Sequence, residues 1–471
     1  MRKDNFKKDN LALFKKVHFI GIGGIGMSAL ADILIDHGIK VSGSDTRVNN
    51  LTKLLEDKGS IITEGHFSRN VPEDADIVVK STCIREDNPE VVRAKELGIK
   101  VILRGEMLKY VIENSKVSIG VTGTHGKTTT SGIISYITDL SGLAPTVLVG
   151  GEMERFGKNS VSGGGNLVVA EVDESDGYFR NISTTHALIT NVEREHMEHY
   201  GSMEKLLDAY ASFIEKVSPE GVFVFNGEDK VLSELSLRSR AESFSFGLSD
   251  KYDAFCDIKE YRKRIEFEMF LEGESLGIVK SPLIGMHNVS NILGAAALCA
   301  RIGVPREMIL RAVEIFGGVK RRFDTVGKVG NIRIIEDYAH HPTELRSVIR
   351  AAKDFSEGRV FAVFQPHRYS RTFDLEAEFA ECFYGSDIFF LTDIYSADED
   401  PVEGASIERL FRSIDTSRFE DARIIKKENV PDLVADMVRE NDTVLVLGAG
   451  NIREISCVLT ESIRRKMAGA L

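Results

Sequence analysis

The sequence predicts an α/β protein of three domains: a Rossmann-like N-terminal domain, a central P-loop ATPase-type α/β domain with added antiparallel strands, and a C-terminal Rossmann-like α/β domain. Three observations predict it. Glycine loops at Gly21–Gly26 and Gly123–Gly126 each join a short apolar strand to a helical apolar pattern. Strand and helix patterns alternate again after Gly317-Gly318. The 41 glycines, against 10 prolines, recur at strand ends and form no low-complexity tract. A chain of 471 residues is long enough for three such domains, with boundaries expected at 1–114, 115–318 and 319–471.

The charge and cysteine patterns exclude several classes. A net charge of −12 and the lack of a long basic run make nucleic acid a poor partner. Five dispersed cysteines without a C-x-x-C pair point to reduced thiols in a cytosolic protein, with neither a disulfide framework nor a zinc site. The polar first ten residues have no signal-peptide core, and no apolar stretch is long enough to span a membrane. The expected location is cytoplasmic.

In chain order, the strand Val17–Ile20 runs into G-I-G-G-I-G-M-S, where Gly21, Gly23 and Gly26, with Gly24 between them, fit G-x-G-x-x-G. A helix to His37 and a strand Lys40–Ser44 ending at Asp45 complete a βαβ unit, with Asp45 placed as a ribose partner. Alone, this unit suggests an NAD-dependent dehydrogenase. Ser81 and Thr82 end a further strand and either help to bind a diphosphate or merely start a loop.

The strand from Val117 leads to G-T-H-G-K-T-T-T. Gly123, Thr124, His125, Gly126, Lys127, Thr128 and Thr129 form a compact phosphate loop, shorter than a Walker A because Val121 stands where its first glycine belongs. Backbone amides and Lys127 attract phosphate there, and Thr128 offers a hydroxyl to a phosphate-bound magnesium ion. With two glycine loops, the chain reads as taking a nucleotide-linked substrate in its first domain and a nucleoside triphosphate in its second.

Next, the strand Asn166–Ala170 opens into E-V-D-E-S-D-G-Y-F, an acidic run starting at Glu171 where metal and substrate binding are needed beside the phosphate loop. His196 follows another strand end, and on residue type alone a hydrogen-bonding loop role is the stronger reading. Alternating segments between Glu242 and Pro282 predict antiparallel hairpins, one turning at Glu272-Gly273. Asn288 and Asn291 share one side of a helix start and suit either an adenine edge or a cap. In the last domain, D-Y-A-H-H-P and Q-P-H-R-Y-S-R follow successive strands, and Arg368 and Arg371 are placed to fork onto a carboxylate or a phosphate.

Taken together and in this order, G-I-G-G-I-G-M-S, G-T-H-G-K-T-T-T, D-E-S-D, H-N-V-S-N, K-R-R-F, E-D-Y-A-H-H-P and F-Q-P-H-R-Y-S-R-T resemble the motifs of the Mur ligases, ATP-dependent enzymes that build the peptidoglycan stem peptide. The resemblance runs from residue 18 to about 452 and is strongest to the branch that adds the first amino acid. It implies binding of UDP-N-acetylmuramate by the first domain, ATP by the second and L-alanine by the third. Activation would pass through an acyl phosphate, with magnesium or manganese.

By the same resemblance, Lys127 holds phosphate and Thr128, Glu171 and His196 serve the metal. Asn288, Asn291 and Arg322 contact ATP, Asp337 is the C-terminal nucleotide-site acid, and His340, Arg368 and Arg371 hold the amino acid. His125 and the Asp337–His341 stretch are candidates to orient or deprotonate the amine. Glu336-Asp337 departs slightly from the family's frequent pair of aspartates. The carbamylated lysine of other Mur ligases is absent from this branch, in keeping with Glu193 and Glu195 beside His196. A ligase that recycles a whole tripeptide, folylpolyglutamate synthase and a non-catalytic ATP-binding protein are the competing readings. A monomer or weak homodimer is expected.

Overall fold

The computed structural model describes residues 11–262, 264–397 and 399–469. The first ten residues, where no signal peptide is expected, lie outside that set. The chain forms two compact units. One runs to Lys259 and includes Glu266–Lys280 and Ser290–Gly317; the other comprises Glu260–Ile265, Ser281–Val289 and the chain from Gly318 onward.

The first unit holds two sheets. The N-terminal one consists of β1 (Lys16–Ile20), β2 (Lys40–Asp45), β3 (Ile61–Glu64), β4 (Ile77–Lys80) and β5 (Lys100–Leu103), all parallel in the order β3-β2-β1-β4-β5. Strand order reverses between β1 and β4, and the Gly21–Gly26 loop and Ser81 follow those two strands at the switch point where ligands bind in such sheets. Helices cover parallel strands on both faces, so β4 is buried along its whole length. His18 is tolerated inside β1 because its ring is satisfied on both sides. Nε2 meets Glu90 Oε2 at 2.8 Å and Nδ1 meets Ser42 Oγ at 2.9 Å.

The larger sheet comprises β6 (Val117–Thr122), β7 (Thr146–Met153), β8 (Lys158–Val161), β9 (Leu167–Glu171), β10 (His186–Ile189), β11 (Val222–Asn226), β12 (Glu242–Phe246), β13 (Ala254–Glu260), β14 (Ile265–Leu271) and β15 (Glu274–Ser281). Its order is β15-β14-β13-β12-β11-β10-β6-β9-β7-β8. The phosphate-loop strand β6 thus lies between β10 and β9, parallel to both, and their chain ends converge on the loop. The expected run of antiparallel hairpins is only partly present. Glu272 and Gly273, at φ 50° and 80°, form a two-residue connection between neighbours β14 and β15. By contrast, β12 and β13 pair in parallel at Phe246↔Ala254. Ser245 N and Oγ both donate to Asp253, so the chain curls past the end of β12 and does not fold back along it.

The second unit is built on β16 (Asp324–Val329), β17 (Ile332–Asp337), β18 (Val360–Phe364), β19 (Ile388–Leu391), β20 (Asp421–Ile424) and β21 (Thr443–Leu447), in the order β16-β17-β21-β18-β19-β20. Only β16 runs antiparallel, against β17. Alternate residues of β18 enter separate cores, Ala362 and Phe364 on one face and Phe361 and Val363 on the other. Among the described residues, no helix is long and apolar enough to cross a membrane.

Candidate active site

The phosphate loop is shaped by its neighbours. Gly126 precedes the helix Lys127–Leu140 at φ 82°, and a Cβ there would approach Asn291 Oδ1 to 2.5 Å. The segment after β10 braces the loop from outside. Thr124 N donates to Asn191 O, His125 N donates to Asn191 Oδ1 and Asn191 Nδ2 donates to His125 O, at 2.9, 2.9 and 3.0 Å. Glu193 N donates to Thr124 Oγ1, and His125 Nε2 lies 3.6 Å from Glu193 Oε2. Thr128 and Thr129 are buried in the first helical turn.

Lys127 Nζ donates to Gly123 O at 2.6 Å, Thr124 O at 3.0 Å and Glu174 Oε1 at 2.9 Å. Burial works against its charge, but Glu174, Asp173 and Glu171 outweigh that and raise its pKa. The Glu174 pKa is also raised, by burial and by neighbouring Asp173 against the pull of Lys127. Burial likewise opposes ionisation of Asp173, but Arg104 and Lys127 hold its pKa well below the usual carboxylate value.

Asp173, Glu174 and His196 bring donor atoms within 4.8 Å of one another. His196 takes a left-handed backbone, φ 57°, at the start of Met197–Tyr200, and its Nε2 lies 3.8 Å from Glu174 Oε1. Glu174 Oε2 is buried and has no hydrogen-bond partner. An orphaned carboxylate oxygen beside a second carboxylate fits a hard divalent cation. Glu171, the residue expected as ligand, is outside this group, and its Oε2 accepts from Gly150 N at 2.7 Å.

In the N-terminal sheet, Asp45 Oδ2 accepts from Gly23 N at 2.8 Å, so the acid expected to meet a ribose also braces the glycine loop. Ser81 lies beside Gly21, its Cβ 3.8 Å from where a Gly21 Cβ would stand. Ser81 Oγ accepts from Cys83 Sγ. Thr82 is exposed next to it.

The second unit gathers its polar residues at the ends of β17, β18 and β21. Arg321 and Arg322 stack over the Tyr338 ring, 4.7 and 5.2 Å from its centroid, and Arg322 Nη1 lies 3.8 Å from Glu344 Oε1. Asp337 accepts from Phe323 N and Ala339 N, both at 2.7 Å. Burial pushes its pKa up to about 6 despite Arg322. His340 and His367 rings stand 5.8 Å apart, and His367 stacks on Tyr395. Arg371 Nη1 donates to His367 Nδ1 and His367 O, both at 3.2 Å. Burial and the surrounding cations lower the His367 pKa to about 3, so its ring is neutral. Arg368 holds φ 72°, with its N–H on Tyr395 O. Asn288 donates to Ile284 O at 2.7 Å, anchoring the chain ahead of its helix.

Family models match along the chain: the Mur ligase family, catalytic domain, over residues 16–116; the Mur ligase middle domain over 121–299; and the Mur ligase, glutamate ligase domain over 321–450. UDP-N-acetylmuramate–L-alanine ligase of Trichlorobacter lovleyi is 40% identical over 442 residues, covering 93% of this chain and 96% of that protein. The chain belongs to the Mur ligase family. The Geobacter sulfurreducens protein of the same name is 41% identical over 446 residues, 93% of this chain and 95% of its own. Among solved structures, UDP-N-acetylmuramate-alanine ligase from Thermotoga maritima has a TM-score of 0.81 at 30% identity, covering 96% of this chain and 99% of that one. A murein peptide ligase from Psychrobacter arcticus shares the fold, with a TM-score of 0.72 at 20% identity and coverage of 96% and 99%.

Within this Mur ligase, the residue patterns named the acidic run and the Asp337–His341 stretch as wholes without singling out Asp173, Glu174 or Tyr338, and left Asn191, Arg321 and His367 unassigned. All but Arg321 lie in the strand-end motifs T-N-V-E, E-V-D-E, D-Y-A-H-H-P and Q-P-H-R. Position after a strand was therefore the usable signal. Arg321 stands instead in K-R-R-F, next to the expected Arg322.

Proposed function

We propose that this Mur ligase joins L-alanine to the lactyl carboxylate of UDP-N-acetylmuramate, converting ATP to ADP and phosphate, as a step of peptidoglycan precursor synthesis. The observation that carries the reading is Lys127. Its ammonium is held at the loop mouth by two backbone carbonyls and Glu174, where the terminal phosphates of a nucleotide exchange for that carboxylate.

A free carboxylate is a poor electrophile, so activation comes first. The lactyl carboxylate oxygen attacks the γ-phosphorus, the bond to the ADP oxygen breaks, and an acyl phosphate forms. The neutral amine of L-alanine then attacks the acyl carbon. A tetrahedral intermediate collapses with loss of phosphate, and the amine proton passes to a base.

Gly123–Thr129 cradle the phosphates, and Lys127 neutralises charge on the transferring group. Magnesium, when bound, would supply positive charge that offsets the phosphates. Asp173, Glu174 and His196 are the donors that fit it, and Thr128 and Glu171 are assigned to it by family resemblance. Asn291 approaches the loop at Gly126, and Asn288 and Arg322 are assigned to the nucleotide by family resemblance. Gly21–Gly26, Asp45, Ser81 and Thr82 take the sugar nucleotide at the switch point of the first sheet.

In the C-terminal sheet, Arg368 and Arg371 take the L-alanine carboxylate beside His340, with neutral His367 orienting Arg371. Asp337 has a backbone amide on each oxygen, which suits holding the Phe323–Ala339 backbone better than accepting the amine proton. The enzyme is taken to work in the cytoplasm as a monomer or weak homodimer, without nucleic acid or membrane.

The test is phosphate release from ATP and magnesium with UDP-N-acetylmuramate, offering L-alanine, glycine, L-serine or the stem tripeptide separately. L-Alanine should stimulate release most, with UDP-N-acetylmuramoyl-L-alanine as product. A preference for tripeptide would reassign the enzyme to recycling.

A further inference from the structure

We propose that Arg104 recognises the lactyl carboxylate of the sugar nucleotide and is parked on Asp173 until that carboxylate arrives. Arg104 is the first residue after β5 and opens the helix Arg104–Asn114. Because β5, β4 and β1 are parallel neighbours, Arg104 stands at the same sheet edge as Ser81 and the Gly21–Gly26 loop. Its guanidinium lies on the bare backbone of Gly26, where a Cβ would come within 2.8 Å of Nη1. From there Nη2 crosses to the central domain and donates to Asp173 Oδ2 at 2.7 Å.

Two cation–carboxylate pairs therefore stand side by side: Arg104 on Asp173, and Lys127 on Glu174 of the next residue. The reaction brings together two anions, a terminal phosphate and an attacking carboxylate, whose mutual repulsion is strong in a site depleted of water. Lys127 serves the phosphate. The carboxylate needs a cation of its own that reaches from the sugar-nucleotide loop toward the phosphate loop, and Arg104 spans that gap. A guanidinium fork matches a carboxylate in shape and charge and orients the oxygen that must attack. On binding, the substrate acid replaces Asp173 on Arg104, and Asp173 is released beside Glu174 and His196.

This inference rests on UDP-N-acetylmuramate being the substrate, so the experiment compares it with UDP-N-acetylglucosamine, which shares the nucleotide and sugar but lacks the lactyl acid. Calorimetric titration without ATP reads the binding of each to wild type, Arg104→Gln, Arg104→Lys and Asp173→Asn. Wild type should prefer the acid. Arg104→Gln should weaken the acid by about 10- to 100-fold, the value of a hydrogen-bonded ion pair, and leave UDP-N-acetylglucosamine nearly unchanged. Arg104→Lys should keep part of the preference, and Asp173→Asn, which removes the competing acid, should strengthen it. Equal loss for both nucleotides, or no loss for either, would overturn the role of Arg104. A wild type that bound neither would instead overturn the substrate reading.

Discussion

Lys127 combines two tasks that a residue pattern alone does not separate. Its ammonium ties the loop together through Gly123 O and Thr124 O, and it also faces the acids that give way to phosphate. Removing it should cost on the order of 3–4 kcal/mol of transition-state stabilisation, as for other preorganised electrostatic donors. Lys127→Ala should therefore lower kcat/KM for ATP steeply, and near-normal ligation would refute the role. Gly126→Ala probes shape in place of charge. The added methyl meets Asn291 Oδ1 at 2.5 Å on a backbone at φ 82°, so ATP binding should fall while the sugar nucleotide still binds. Calorimetry with each nucleotide separates those outcomes. Lys127 is legible in the sequence because glycine, lysine and threonine spacing encodes a local loop. Asn191 is not, since its bonds to His125 span 66 residues and exist only once β6 and β10 pair. The orientation of the acidic run after β9 is likewise set by a distant neighbour. The last residue of β9 turns its carboxylate to the amide of Gly150 in neighbouring β7, leaving the next two acids to face Lys127.

Among elements, the strands around the glycine loops follow directly from apolar runs bounded by glycine, because burial on both faces demands such runs. β8 and β16 did not show in the pattern. Each is an edge strand with polar residues that answer to tertiary partners. The partner of β8 is Asp32, on the first domain's helix Ile25–Asp36. Lys158 Nζ and Ser160 Oγ reach Asp32 Oδ2 at 2.8 and 2.9 Å, Lys58 holds the other oxygen, and Asn159 Nδ2 donates to Ile25 O at 2.6 Å. Burial works to raise the Asp32 pKa, but these donors prevail and lower it. A depressed carboxylate contributes stability that is complete above its unfolded value, about 4, and is lost as pH falls through its lower folded value. Asp32→Asn should thus cost about 2 kcal/mol at pH 7, since the lysines stay partly solvated, and less at pH 3, below the unfolded value. Denaturant titrations at both pH values would show this. A loss that persisted undiminished in acid would mean that the Asp32 charge is not the source. The same variant should split unfolding of the first and central domains into separate transitions, visible by calorimetry.

At the scale of the molecule, the proposed chemistry sets a demand that no single sheet meets. The proposal puts the sugar nucleotide on the N-terminal sheet and ATP on the sheet around β6, while His340, Arg368 and Arg371, proposed for the amino acid, belong to the second compact unit. Transfer requires reacting atoms within van der Waals reach, about 3–3.5 Å, so the productive state is one in which all three ligands are brought together. Such geometry is usually assembled by closure of domains around ligands. Small-angle scattering of free protein, of protein with a non-hydrolysable ATP analogue, and of protein with that analogue plus UDP-N-acetylmuramate should show a stepwise fall in radius of gyration. The Arg104 exchange adds a specific expectation. UDP-N-acetylglucosamine in place of the acid should give less of the final compaction, because it leaves Arg104 on Asp173. An unchanged radius across all ligand states would refute closure, and equal compaction with either sugar nucleotide would separate closure from the carboxylate.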